Sequence, residues 1–287
     1  MRRRPTAREQ EQAAARRPAP GPRLESPALT PAGEALAMLR RRGVRTKPWP
    51  PDLPFTEDLD EVLQERFARL VDHYAFRLFL RGAIQRGKGF VPGAVTRYVG
   101  ARAARRMAEG LVSLGLASPA GRGHYRLTRP PRSFGGILEW YVARELRLRL
   151  GFDTAFGLRF FAPGVGGDLD VVAAAEGRLV YLELKSSPPR QIGEAEVRAF
   201  LARRSALRPD LTLFAVDTAL RLSDKVIPML ADAMAARGAG SEPPRRLVRE
   251  VWALTPRLYA VNAKADLLGN VARAIAEGLH ALAPPGP

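Results

Sequence analysis

The sequence predicts an α/β protein: a mixed sheet flanked by helices, preceded by a mainly helical module and a basic, largely disordered tail. Three observations carry this expectation. Strand and helix patterns alternate from Gly135 onward; helices and one short hairpin fill residues 55–132; residues 1–54 are rich in Arg, Pro and Ala without sustained periodicity. With 287 residues, 46% of them hydrophobic, the chain is long enough for one large domain or two ordinary ones and too apolar to be disordered throughout. The expected division is a tail (1–54), a helical module (55–132) and an α/β domain (133–287).

Composition excludes several functions. There is no cysteine, hence no disulfide scaffold, thiolate zinc site or cysteine nucleophile. His73, His124 and His280 sit in no metal-ligand spacing. No apolar run reaches the ~18–20 residues of a membrane span. No hydrophobic signal core follows the basic N-terminus. The expectation is a soluble, cytoplasmic protein without membrane contact. The net charge of +17 points to polyanions, nucleic acid first. Because 41 of the 46 basic residues are arginine, GC-rich codon usage accounts for part of that total, and the distribution of charge carries more than its sum.

The tail holds twelve basic and five acidic residues. Its one expected element is a short helix around Ala32–Arg42, with Thr30 as cap and Pro31 at the first helical position. It reads equally as a phosphate-binding arm or a solvated leader. Residues 55–74 reverse the sign, with six acids against two arginines. Leu59, Val62, Leu63, Phe67, Leu70 and Val71 recur at helical spacing, with the acids as the wet face and Asp58 near the positive helix start.

Residues 75–134 hold twelve basic residues and a single acid, Glu109, whereas residues 135–287 carry a net charge of only +3. The pattern is a helix over Ala75–Arg86, a break at Gly87–Gly89, a short helix over Pro92–Val99 and a helix over Ala101–Leu114. A hairpin follows, Leu116–Ser118 against His124–Thr128. That order resembles a winged helix-turn-helix. The resemblance implies DNA contacts from Arg97, from Arg102, Arg105 and Arg106 on the third helix, and from Arg122 and Arg126 on the wing. The competing reading is a packing module with a solvated basic face.

From Gly136 the expected order is a helix to Leu150 carrying Glu139, a strand Thr154–Phe161, a turn Pro163–Gly167, and strands Asp168–Ala174 and Arg178–Ser186 joined at Glu176–Gly177. A helix Gln191–Arg204, a strand Leu211–Val216, a helix Asp224–Arg237, strands Leu247–Leu254 and Arg257–Val261, and a helix Ala265–Leu282 complete it. On a strand side chains alternate, so Glu183 and Lys185 project together, with Asp170 beside them on the neighbouring strand. Burying three charges among Val171, Val172, Val180, Tyr181 and Leu182 is costly unless they are paired or metal-bound. An edge-strand salt bridge explains Lys185 and Glu183 but not Asp170. Adjacent carboxylates repel, and a hard divalent cation relieves the repulsion.

The run from Leu138 to Lys185, with a helix glutamate, GDLDVV, a hairpin turn and YLELKSS, resembles the PD-(D/E)xK nuclease superfamily of restriction-endonuclease-like fold. The matching positions are Glu139, Asp170, Glu183 and Lys185. The resemblance implies Mg²⁺ or Mn²⁺ held by Asp170, Glu183, the Leu184 carbonyl and water. It gives Lys185 the role of orienting or activating the water, or of neutralising the transition state, and gives Glu139 a supporting one. As a base, Lys185 needs a lowered pKa. Asp168 is a candidate second ligand or turn residue, and Gln191 a candidate substrate contact. The expected function is a metal-dependent DNA endonuclease with a winged-helix DNA-binding module, acting as a homodimer where both strands are cut. An RNA nuclease and a DNA-binding regulator with an inactive nuclease-like domain are the alternatives.

Overall fold

The structure is a computed structural model that describes residues 33–56, 59–87, 89–162, 164–239 and 242–283. The expected tail therefore lies outside the described residues up to 32, as does Asp58. The described residues all belong to one compact unit. Within it, an eight-stranded mixed sheet runs in the order β1-β4-β5-β6-β7-β10-β9-β8. Its strands are β1 (Arg45–Pro48), β4 (Asp153–Ala162), β5 (Val165–Ala175), β6 (Arg178–Lys185), β7 (Leu211–Val216), β8 (Arg245–Val248), β9 (Val251–Thr255) and β10 (Leu258–Asn262). Only β7 pairs in parallel, with β6 on one side and β10 on the other. Helices α1 (Gly33–Arg41), α6 (Glu194–Leu207) and α7 (Val226–Ala235) pack with one face of the sheet. Helices α5 (Gly135–Leu150) and α8 (Leu267–Leu282) contact the sheet separately, α5 on β4, β5 and β6 and α8 on β7, β9 and β10.

Residues 33–54 differ from the tail expectation. Helix α1 buries Ala35, Met38 and Leu39. Its first N–H groups, from Glu34 and Ala35, donate to Asp153 at 2.6 and 2.9 Å, which caps the helix from 118 residues away. Strand β1 then pairs antiparallel with β4. The helix was expected over Ala32–Arg42; its expected cap, Thr30 with Pro31, lies outside the described residues, and the carboxylate that caps it is remote in sequence.

The helical module contains α2 (Glu61–Asp72), α3 (Tyr74–Gln85), a single 3-10 turn (Pro92–Ala94) where a longer helix was expected, α4 (Ala101–Ser113), and a hairpin of β2 (Ala117–Pro119) and β3 (Tyr125–Leu127). Asp60 caps α2, accepting from Val62 at 2.8 Å. Where a single strand Leu247–Leu254 was expected, a turn at Arg249–Glu250 divides β8 from β9.

Ring contacts and an ion cluster cross the expected boundary between residues 132 and 133. Ring contacts run from Tyr125 through Phe90, Phe79, Phe76 and Phe67 to Trp140 on α5, every step within 6.4 Å. A buried ion cluster adds to them. Asp217, just after β7, takes Arg77 Nε at 2.9 Å on one oxygen and Arg81 Nη2 at 2.7 Å on the other. Its backbone N–H donates to the Lys185 carbonyl at 2.8 Å. Two arginines of the basic segment are thus consumed internally.

Candidate active site

The site lies where the sheet parts. Strands β5 and β6 are joined by a two-residue turn in which Glu176 (φ 50) and Gly177 (φ 70) both take positive φ, the conformation that matches strand twist in tight hairpins. The ladder runs from there to Val171 opposite Leu182 and stops. Beyond it β5 stays with β4 and β6 stays with β7. The Asp170 carboxylate enters the gap and accepts the Leu184 N–H at 2.7 Å. A strand residue's N–H and C=O share one edge, so the Leu184 carbonyl opens on the same gap. Strand β6 is central, not the edge strand of the bland expectation.

Glu183 is 1% exposed and fully engaged in a charge cluster. Its Oε1 meets Lys185 Nζ at 2.9 Å and Arg203 Nη2 at 2.6 Å. Its Oε2 accepts from the Tyr181 hydroxyl, which itself accepts from Arg203 Nε at 3.1 Å. Burial works to raise the Glu183 pKa, but the two cations outweigh it and hold the group below its ordinary value. Lys185 also reaches Glu196 at 3.4 Å. Burial works to lower its pKa, yet Glu183 and its neighbours push it above the ordinary value. Lys185 is thus held toward its charged form, the opposite of the lowered pKa that a role as base needs.

Asp170 is pushed well above the ordinary carboxylate range by burial, then by the charges of Glu183 and Glu139. Glu139, one turn into α5, is pushed up to about 7 by burial, then by Asp168 and Glu183. The structure thus brings Glu139, Asp170, Glu183 and Lys185 together. Asp168 is half-exposed and paired with Arg159 at 3.1 Å. Gln191 is exposed in the 3-10 turn Pro189–Gln191.

Sequence reasoning missed Arg203, Glu196 and Tyr181. Glu196, Phe200 and Arg203 stand at i, i+4 and i+7, so one stripe of α6 carries a buried aromatic between two charges. That interleaving was the available signal.

The raised Glu139 pKa has a measurable sign. A carboxyl whose folded pKa lies above its unfolded value lends stability that is fully present below about pH 4.5 and lost as pH rises through about 7. In chelator, Glu139→Gln should gain stability relative to wild type between pH 5 and pH 8, by about 1–3 kcal/mol in urea unfolding. A pH-independent difference would contradict the crowding.

No protein-family model and no curated protein matches the chain. Among solved structures it resembles protein VC1899 from Vibrio cholerae at 13% identity and TM-score 0.51, over 86% of this chain and 63% of that one. Can2 from Sulfobacillus thermosulfidooxidans, solved with cyclic tetra-adenylate, is 16% identical with TM-score 0.47, over 84% of this chain and 60% of that one. The chain spans less than two thirds of the length of either protein. The likeness to VC1899 shows a shared fold. Among the described residues no helix is long and apolar enough to cross a membrane.

Proposed function

We propose that the chain is a metal-dependent DNA endonuclease. The observation that carries this is the meeting of Glu139, Asp170, Glu183 and Lys185 at the parting of β5 and β6. A divalent cation fits this donor set. Asp170 has an oxygen beyond the one that accepts Leu184, the Leu184 carbonyl faces the gap, and the crowded carboxylates gain from a positive charge. Among the described residues no group of three His, Cys, Asp or Glu side chains is placed to hold a metal ion; Mg²⁺ or Mn²⁺ would rest here on Asp170, the Leu184 carbonyl, water and a substrate phosphate. When bound, such an ion polarises the phosphate and lowers the pKa of a coordinated water.

The protein's own groups do the rest. Lys185 supplies a positive charge for the phosphoryl oxygens as the water oxygen bonds to phosphorus and the bond to the leaving sugar oxygen breaks. Arg203 and Tyr181 hold Glu183 ionised and oriented. Glu139 stands behind the cluster as a supporting carboxyl.

The helical module is proposed to be a winged helix-turn-helix that holds the duplex. Arg97, Arg102, Arg105, Arg106, Arg122 and Arg126 are all exposed, and Arg105 pairs with Glu109 at 3.0 Å. Replacing Arg102, Arg105 and Arg106 by alanine should reduce the slope of log K against log salt for duplex DNA by about 3, roughly one per lost phosphate contact. An unchanged slope would remove α4 from the interface.

A second reading, a DNA-binding regulator whose nuclease-like half is inactive, is favoured by one observation: the Glu183 oxygens are already partnered by Lys185, Arg203 and Tyr181. Incubation with plasmid, single-stranded DNA and RNA, with Mg²⁺ or Mn²⁺ and with chelator, tests both. Metal-dependent cutting lost in Asp170→Ala supports hydrolysis, and the polymer cut separates DNA from RNA. Binding without cutting under every metal supports the regulator.

A further inference from the structure

We propose that the exposed face of β1 and β4 binds an unpaired nucleic-acid strand and leads it to the carboxylate cluster; that destination rests on the nuclease reading, while the binding does not. Residues directly opposite in an antiparallel ladder project from the same face. Arg45 lies opposite Phe161, Lys47 opposite Arg159, and Arg159 opposite Asp168 of β5. Three cations and an aromatic ring therefore share one face, and that face ends at Asp168, whose charge acts on Glu139.

Trp49 extends the row. Its ring stacks with the Arg159 guanidinium, 4.1 Å from the ring centroid. Its backbone N–H donates to the Gly157 carbonyl at 2.7 Å. Gly157 has φ +59, and a Cβ there would stand 2.7 Å from the Trp49 carbonyl. The glycine thus lets the Trp49 segment lie against β4. Phe161 has Lys47 Nζ 5.7 Å from its centroid. Trp49 and Phe161 each remain 44% exposed, in a protein whose other aromatic rings are mostly buried. From Trp49 a cavity of about 420 Å³ continues past Arg132 and Ser133 to Glu139 and Asp168.

Aromatic rings left open between fixed cations are what a single strand needs: bases stack on the rings and phosphates meet the cations. A base-paired duplex offers its phosphates but not the faces of its bases, which are already stacked on one another. Pairing with a strand of another protein is opposed by the composition of β1, a short edge with Arg and Lys that ends at Pro48 and runs into Pro50 and Pro51.

The test is binding of the full chain, in chelator, to a labelled single-stranded DNA 12-mer, the matching RNA and the matching duplex, read by fluorescence anisotropy. Phe161→Ala and Trp49→Ala should each weaken single-strand binding by roughly 5- to 100-fold, with duplex affinity unchanged. Lys47→Glu, which removes no ring, should also weaken it and should flatten its salt dependence. Tryptophan emission quenched by the strand should lose that response in Trp49→Phe. The ratio between the DNA and RNA arms identifies the sugar. Single-strand affinity unchanged in both Phe161→Ala and Lys47→Glu, with folding verified by circular dichroism, would overturn the proposal, as would a stable dimer dissociated by these substitutions. Because chelator prevents cleavage, a chain that cuts nothing but binds through Phe161 retains the platform, and one that cuts with Phe161 indifferent loses it alone.

Discussion

Asp170→Ala is expected to lower metal-dependent cleavage by at least roughly 10²–10³-fold, the scale on which removal of one preorganised electrostatic group acts. Two losses coincide in that variant. A carboxylate at the parting of the sheet disappears, and the Leu184 N–H loses its acceptor at 2.7 Å. Asp170→Asn separates them, because an amide oxygen still accepts from Leu184 while the charge is gone. The asparagine variant should therefore be at least as stable as wild type at neutral pH, since it also removes a crowded carboxyl, and be as inactive as the alanine variant. Lys185→Ala should fall by a similar factor without a shift of the pH optimum, as the role proposed for Lys185, a cation beside Glu183 that exchanges no proton, requires. Single-turnover cleavage of a labelled duplex, with far-UV circular dichroism alongside, measures all three. Cleavage that survives in Asp170→Asn and Lys185→Ala, or that ignores chelator, would place the chemistry elsewhere.

The second large effect concerns stability. Asp217→Ala should cost about 3–5 kcal/mol in urea unfolding, because it strands a buried cation without its counterion. Arg77 is 1% exposed, and besides Asp217 at 2.9 Å its Nη1 donates to the Val71 and Asp72 carbonyls at 2.8 and 2.7 Å. Water cannot replace the missing carboxylate at that depth. Arg81, at 16% side-chain exposure, can turn outward and loses less. Asp217→Ala combined with Arg77→Met should recover much of the loss, since replacing both partners removes the desolvated charge along with the pair. Additive losses in the double variant would show that Arg77 and Asp217 contribute independently.

The residues differ in how openly they announced this arrangement. The β5–β6 hairpin was legible because alternation, an apolar background and the Glu176–Gly177 turn are all local. Asp170, Glu183 and Lys185 stood out for the same reason, as charges where the pattern required apolar side chains, whereas Glu139 was singled out only by the family resemblance. Arg203 was not, because a single arginine in an arginine-rich chain carries little information until Tyr181 and Glu183 are seen opposite it. Helix α1 was expected with Thr30 as its cap, and strand β1 was read as tail, for a related reason. Their stabilising partners, Asp153 and β4, lie more than a hundred residues along the chain. Arg77 and Arg81 counted toward an electropositive surface in sequence, whereas both spend their charge on Asp217.

The Glu176–Gly177 turn also acts as a ruler. Six residues separate Asp170 from Glu176 and six separate Gly177 from Glu183, so equal arms carry the two carboxylates back to one level. Lengthening the connection by a single residue in either arm would slide one arm past the other and rotate its acidic group to the opposite side of the sheet. This two-residue connection is therefore not free to change length without moving one of the two carboxylates.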